Sequence, residues 1–344
     1  MISILLPSFF IFIFGFFSLL GINPQIARQQ FINFAIGFVV FYIIRKFGRK
    51  FIISNAQFFF FLFTLLLLIT YIIGFEVKGS KRWIDLYFFN FQSSEFLKVF
   101  FILYLSQLFV KLSNIEYTFR RLALLLLMLL IPSFIVFKQP DLGNAIVYVY
   151  LFFILLFFSK ISKKYIVSII SFLFLIVPLL VVFLKDYQKN RILSFFSLYL
   201  EQQGNAYNMI QAMITVGSGK WFGKGLGLST QSRLFFLPEN KTDFAFSTLI
   251  EQFGFFGGFI VLVLYLVLFF FLFKRITLLL KKNDDESKIM FLYVLGIFSY
   301  IFFQMFVNIG MNLGVLPIAG IALPFISSGG SLIVTLFLGF ALIP

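Results

Sequence analysis

Apolar stretches of roughly 17–25 residues, the length that carries an α-helix across a bilayer, follow one another along this 344-residue chain. In hydrocarbon a backbone must satisfy its own polar groups, and a helix does so within one segment. The pattern therefore predicts an all-α polytopic membrane protein. Ten transmembrane helices are expected, at 3–20, 29–44, 56–74, 93–110, 121–137, 142–158, 165–184, 245–273, 288–309 and 326–343. Composition agrees: 61% of residues are hydrophobic and 12% charged, more apolar surface than a soluble domain needs. The 58 Phe fit AT-rich codon usage, lipid contact and helix packing better than a stacking platform for bases. The first stretch lacks a basic n-region and an Ala-x-Ala site, so it reads as a span rather than a cleaved signal. With no internal repeat and no domain boundary, residues 1–344 are read as a single membrane domain.

Charge orients the spans. With an even helix count both termini share one side. The connections there carry Arg45, Lys46, Arg49 and Lys50, then Lys111, Arg120 and Arg121, then Lys160, Lys163 and Lys164, then Lys274, Arg275, Lys281, Lys282 and Lys288. The opposite short loops carry only Arg28, Lys78, Lys81, Arg82 and Lys138. Cytoplasmic loops are enriched in Lys and Arg, which places both termini in the cytoplasm. This bias also accounts for the net charge of +15 without a nucleic-acid partner. Residues 185–244 then form one large extracytoplasmic loop. Its apolar patches, at Phe195-Phe196 and Met209 to Val216, predict short helices resting on the membrane surface. The acidic cluster in "KKNDDESK" (281–288) reads as a solvated cytoplasmic turn.

Absent residue types narrow the chemistry. Without Cys there is no disulfide or thiol chemistry, and without His the commonest general base and metal ligand are missing. Acid–base work falls to Asp, Glu, Lys or Tyr. Five polar constellations interrupt the apolar background. In "GSKRWIDL" and "FQSSEFLKVF", Glu95 and Lys98 sit three residues apart on one helix face and can pair. Ionisable groups inside spans usually face a polar cavity; a helix-end salt bridge with Lys98 snorkelling to water is the alternative. In "KQPDLGNA", Asp141 stands where it can cap the following helix. "GSGKWFGKGLG" (217–227) is not a P-loop, because the spacing is wrong and Lys224 is followed by Gly225. Its glycines, with Lys220 and Lys224, can grip a pyrophosphate or form a flexible surface turn. In "LPENKTDFAF", Glu239, Lys241 and Asp243 precede the eighth span and Glu251 lies two turns inside it. Asp243 is there either a helix cap or a catalytic acid. "GVLPIAGIALPFISSGGS" (314–331) breaks an apolar region with prolines and glycines, and reads as a re-entrant or capping segment buried in protein, or as an ordinary loop. In the expected topology all five lie toward the outer face and would converge on one external cavity. That arrangement suits a lipid-linked polar substrate.

These five motifs, in this order, resemble the SEDS family (shape, elongation, division, sporulation), of the RodA/FtsW type. The resemblance covers essentially the whole chain, and the wording "LFFLPENKTDF" is closer to RodA, the elongation member. It implies a ten-helix peptidoglycan glycosyltransferase of the bacterial inner membrane that polymerises lipid II. Its implied partners are a class B penicillin-binding protein transpeptidase and membrane proteins of the elongation complex. The family's essential acid, in the TDF motif, falls on Asp243. Its PSE-x-x-K acid and base fall on Glu95 and Lys98, its RW pair on Arg82 and Trp83, and its LPE acid on Glu239. Several positions depart from the pattern. Ser93 stands at the usual Pro, Glu251-Gln252 at the usual acidic pair, Gln211-Ala212 at a usual Gln-Ser, and Ser328 at a usual Tyr. Gln252 and Ser328 bear on finer substrate contacts, and the sequence reaches Pro344 soon after the last apolar stretch begins, which would weaken a tenth span.

In the implied reaction, Asp243 deprotonates the acceptor sugar hydroxyl and cations stabilise the departing pyrophosphate. Lys98, Arg82, Lys220, Lys224, Arg191 and Arg233 are the candidate cations, with Glu239 beside the base. A divalent cation would serve the same purpose, and the sequence offers no ligand cluster for one. The rival readings are a flippase or transporter for lipid-linked cell-wall precursor, a division-specific polymerase of the FtsW type, and a structural hub of the elongation machinery.

Overall fold

The computed structural model describes residues 1–77, 80–85, 90–113, 115, 117–182, 195, 205–234 and 236–344. Helix α1 spans Ile2–Ile22 and α2 Pro24–Ile43; a π-helical turn at Ile44–Gly48 leads into α3, Arg49–Ser54. Then come α4 (Ala56–Ile73), α5 (Ser93–Ser113), α6 (Phe119–Lys138), α7 (Leu142–Phe158) and α8 (Lys163–Val182). The remainder is α9 (Asn205–Ser218), α10 (Thr230–Arg233), α11 (Ala245–Leu280), α12 (Asp285–Asn312) and α13 (Gly330–Leu342). Each of the ten expected stretches holds a helix. Among the described residues, seven segments are long and apolar enough to cross a membrane: α1, α2 running through α3, α4, α5, α6, α11 and α12. Helices α7 and α13 are apolar but shorter. At about 1.5 Å per residue, the 13-residue α13 covers roughly 20 Å of a hydrocarbon core about 30 Å thick. The chain is a polytopic helical membrane protein.

One feature was not expected from the hydropathy: a small antiparallel sheet between α4 and α5. Strands β1 (Phe75–Val77), β2 (Ser80–Asp85) and β3 (Asn90–Phe91) lie in the order β1-β2-β3. Phe75 faces Trp83 across the first pair, and Ile84 faces Phe91 across the second.

The chain divides into two compact units. The first comprises Met1–Phe38, Asp186–Leu272 and Ile301–Leu336. The second comprises Val39–Lys185, Phe273–Tyr300 and Phe337–Pro344.

In the second unit α5 is buried nearly all round, as a helix apolar on every face should be. Stacked rings, Phe63 on Phe100 at 4.6 Å and Phe60 on Tyr104 at 5.1 Å, join it to α4. Gly296 lets α12 approach it: a Cβ there would lie 2.3 Å from Ile102. Ser93, at the position of the family's proline, begins α5 and its hydroxyl meets that of Thr70 at 2.9 Å. Carbonyls at the C-terminal end of α13 are answered from the basic turn after α2, Leu342 by Arg49 and Ile343, just past the helix, by Arg45. Basic groups suit a helix C-terminus for that reason. At the other end of the charge pattern, Asp284 accepts the Ser287 amide at 2.9 Å and so caps α12. That hydrogen bond holds the Asp284 carboxyl below the usual carboxylate range. The acidic cluster is therefore a helix start as well as a solvated turn.

In the first unit α1 packs by Phe12 stacked on Phe34 at 3.9 Å. Gly15 allows its backbone to approach that of Ile326; a Cβ would fall 2.7 Å from the Ile326 Cα. Residues 313–329 are irregular, and most of 318–327 is buried, as the prolines and glycines predicted.

Candidate active site

The sequence "LPENKTDFAF" folds as a tight turn leading into α11. Glu239 adopts a left-handed φ of 54°, which costs a residue with a Cβ roughly 1–2 kcal/mol. Its carbonyl offsets this by accepting the Thr242 and Phe244 amides, each at 3.1 Å. Its carboxylate accepts the Thr242 hydroxyl at 2.9 Å. Asn240 donates to the Ser232 carbonyl and accepts from the Thr248 hydroxyl, tying the turn to α10 and α11. Leu237 and Phe244 anchor the turn in a small core with Met209, Ala212, Met311 and Ile318.

Asp243 is half-buried in this turn, two residues before α11. Its carbonyl is held twice, by Asn308 Nδ2 at 2.9 Å and Asn312 Nδ2 at 3.0 Å. The Asn312 side-chain oxygen accepts both the Ser247 amide (2.9 Å) and the Ser247 hydroxyl (2.6 Å). One orphan amide of the α11 N-terminus is thus capped from α12 rather than from the turn itself. The irregular segment clamps the turn from the other side. Ser328 donates its amide to the Lys241 carbonyl at 2.8 Å, and the Ser327 hydroxyl donates to the Thr242 carbonyl. That segment is itself satisfied: Asn308 reaches the Ile321 carbonyl, Tyr265 the Pro324 carbonyl and Gln30 the Ser327 carbonyl. Irregular backbone buried in protein at membrane depth requires such partners.

The glycine-rich loop has a different role from either one expected of it. Helix α11 breaks at Gly254, where φ is 71° and ψ is −171°. Glu251 therefore stands just before a break rather than two turns inside an unbroken helix. The broken ends expose carbonyls and amides, and the loop answers both. The Lys224 and Gly225 amides donate to the Glu251 and Gln252 carbonyls, at 2.8 and 3.1 Å. The Phe255 and Phe256 amides donate to the Lys220 and Trp221 carbonyls, at 2.8 and 3.1 Å. Those loop amides are committed and do not cradle a phosphate. The glycines permit the approach: a Cβ on Gly223 would lie 2.2 Å from the Gln252 carbonyl oxygen. Trp221 and Phe222 extend outward against Phe255 and Phe256, as aromatic side chains do at a membrane interface.

Glu251 is fully buried. It accepts the amides of Thr230 and Gln231 at 2.9 Å and of Ser232 at 3.0 Å, and the Ser232 hydroxyl at 2.6 Å. Lys224 Nζ lies 3.0 Å from the same carboxylate and 2.7 Å from the Thr230 hydroxyl. Lys224, expected to bind substrate, is thus engaged in holding α10. Arg233 is exposed and spends one nitrogen on the Gly227 carbonyl at 2.7 Å. Gln252 is buried and donates to the Ser18 carbonyl, which ties α11 to α1.

The second unit holds the other candidates. Lys98 Nζ and Glu95 Oε1 are 2.7 Å apart, and the Lys98 side chain has 0% exposure. The ammonium does not snorkel; it lies 5.0 Å over the ring of Tyr300, whose hydroxyl donates to Glu95 Oε2 at 2.8 Å. Arg82 on β2 donates to the Gln139 and Pro140 carbonyls and lies 3.7 Å from Asp141. Asp141 is buried and caps α7, accepting the Asn144 amide at 3.3 Å. Arg82 therefore secures the turn between α6 and α7. Trp83 stacks beside Phe75. Arg191 lies outside the described residues. Among the described residues no three of Asp, Glu, His and Cys are grouped so as to hold a metal ion.

Sequence reasoning noted Glu251 beside the Asp243 motif without giving it a role, and missed Tyr300, Asn308 and Asn312. The two asparagines did carry a signal: amides four residues apart in an apolar helix need buried partners. Tyr300 carried none.

Comparison with known proteins agrees with the expected family. The chain is 31% identical over 310 residues to peptidoglycan glycosyltransferase MrdB of Escherichia coli K12, covering 90% of this chain and 82% of that one. It is 33% identical over 332 residues to a probable peptidoglycan glycosyltransferase FtsW of Wigglesworthia glossinidia brevipalpis, covering 92% and 82%. Its fold matches, with a TM-score of 0.80 and 24% identity over 99% and 95% of the two chains, a protein from a peptidoglycan synthase complex that coordinates polymerization and crosslinking. The family described as cell cycle protein matches over residues 8–344. The chain belongs to the FtsW/RodA/SpoVE family of cell cycle proteins.

Proposed function

We propose that this protein is a peptidoglycan glycosyltransferase that polymerises lipid II, with Asp243 as the general base. The relatives' names support the reaction class. The observation that carries the assignment of the base is the clamped turn: a half-buried aspartate on a backbone held by Asn308, Asn312 and Ser327. In the reaction the acceptor hydroxyl oxygen attacks the anomeric carbon of the donor sugar. Its proton passes to the Asp243 carboxylate, a C–O glycosidic bond forms, and the bond to the pyrophosphate breaks. Undecaprenyl pyrophosphate leaves with the electron pair. A rigid scaffold lowers the cost of bringing base and hydroxyl within hydrogen-bond reach.

In the first unit Arg233 and Lys241 present exposed charge on the elements that hold Asp243, and Glu239 shares its turn. These are the groups proposed to meet substrate there. Glu95, Lys98, Arg82 and Trp83 are proposed to serve substrate binding through the shape and charge of the second unit. The wording of the Asp243 motif supports a place in elongation, with a class B penicillin-binding protein transpeptidase as partner. The charge pattern supports cytoplasmic termini.

The test is polymerisation of purified lipid II by the full chain with its partner transpeptidase. Asp243→Asn is expected to remove glycan synthesis while the protein remains folded. Normal chain lengths from that variant would end the assignment. A flippase would instead move labelled lipid II across vesicles without consuming it.

A further inference from the structure

We propose that Asn308 and Asn312 are positioning residues for Asp243, fixing its peptide plane so that its carboxylate is aimed at the acceptor hydroxyl. The inference rests on the reading of Asp243 as the general base. Both asparagines are completely buried on α12, four residues apart and so on one face. A buried amide in an apolar helix persists only when satisfied, and these two are satisfied almost wholly by the catalytic turn and its clamp. Asn308 Nδ2 bridges the Asp243 carbonyl (2.9 Å) and the Ile321 carbonyl (2.7 Å). Asn312 Nδ2 bridges the Asp243 carbonyl (3.0 Å) and the Asn308 carbonyl (2.7 Å).

Both lone pairs of the Asp243 carbonyl are therefore taken by side chains of another helix. Asn312 also donates nothing through its oxygen; it accepts there from Ser247, the third residue of α11. One side chain thus sets the residue before the helix and the helix itself. Only a carboxamide offers a pair of donors and an acceptor in so short a reach. With its peptide plane locked, Asp243 retains two side-chain torsions. A displacement of about 1 Å in such a group can cost on the order of 100-fold in rate.

The experiment measures kcat and KM for lipid II polymerisation, per folded protein, with the partner transpeptidase present. The variants are Asn308→Ala, the milder Asn308→Ser, and Asn312→Ala. Tyr265→Phe is the control. It removes the hydroxyl that holds the Pro324 carbonyl in the same irregular segment, and no hydrogen bond to Asp243 is lost. Asparagine variants are expected to lose about 100-fold in kcat with KM within about twofold. Tyr265→Phe is expected to lower the melting temperature with kcat within about twofold. Asn308→Ala and Asn308→Ser with kcat near the parent value would overturn the proposal. So would a kcat loss that Tyr265→Phe reproduces at equal loss of thermal stability. If Asp243→Asn polymerises normally, the base assignment itself is wrong; if it is inactive while the asparagine variants are normal, only the positioning role fails.

Discussion

Lys98 is an ammonium without solvent, and its partners define what it can do. Glu95 neutralises it at 2.7 Å, and Tyr300 completes the set with a hydroxyl on the carboxylate and a ring beneath the cation. Removing one member of such a pair strands the other charge, at a cost of about 3–5 kcal/mol, more than removing both. Glu95→Gln is therefore expected to melt well below Glu95→Gln/Lys98→Met in detergent, a difference thermal unfolding would read. Tyr300→Phe should cost less, because the ring under the ammonium stays. The pairing was legible in the spacing of Glu95 and Lys98. Its burial was not, because snorkelling depends on whether a helix has a wet flank, and α5 has none. Tyr300 was illegible because nothing local marks a tyrosine that is answered about two hundred positions earlier. Asp243 was legible as an acid at a helix entry, yet its cap reading failed to foresee that Asn312 takes the Ser247 amide.

At the scale of elements, the glycine loop and the break in α11 form one device. A helix interrupted at Gly254 leaves orphan groups on both sides, and the loop 219–225 answers them with four backbone bonds. Two glycine substitutions separate this role from mere flexibility. Gly223→Ala places a methyl against the Gln252 carbonyl in a left-handed backbone, so it is expected to unseat the loop and speed proteolytic cleavage near Lys220 and Lys224. Gly217→Ala meets nothing within 4 Å and lies in α9. It is expected to leave the digestion pattern alone and to stabilise the helix by up to about 1 kcal/mol. The spacing within "GSGKWFGKGLG" was enough to dismiss a P-loop. It could not reveal the loop's partner, because the carbonyls it meets exist only where a helix breaks, and "EQFGFFGG" reads as ordinary apolar helix. Segment 314–331 was more legible, since prolines and glycines at membrane depth demand burial and side-chain partners.

For the whole molecule, span length carried most of the architecture, and the two short helices show its limit. Helix α13 needs few residues because buried irregular chain precedes it, a feature hydropathy averages away. Orientation is open to direct measurement, since the chain has no cysteine of its own. Lys220→Cys and Lys282→Cys each place one thiol at an exposed position. A membrane-impermeant maleimide is expected to label the first in intact spheroplasts and the second only after permeabilisation; the reverse would invert the proposed topology. The clamp on Asp243 also sets an order of events during synthesis. Its carbonyl is answered by side chains 65 and 69 residues downstream, and that of Thr242 by one 85 residues downstream. At about 5–20 residues per second, the ribosome delivers Asp243 on the order of ten seconds before the groups that hold its turn. A nascent chain thus enters the membrane with its acid in place and its turn unclamped, and translation must run past Ser327 before the turn can acquire its full set of partners.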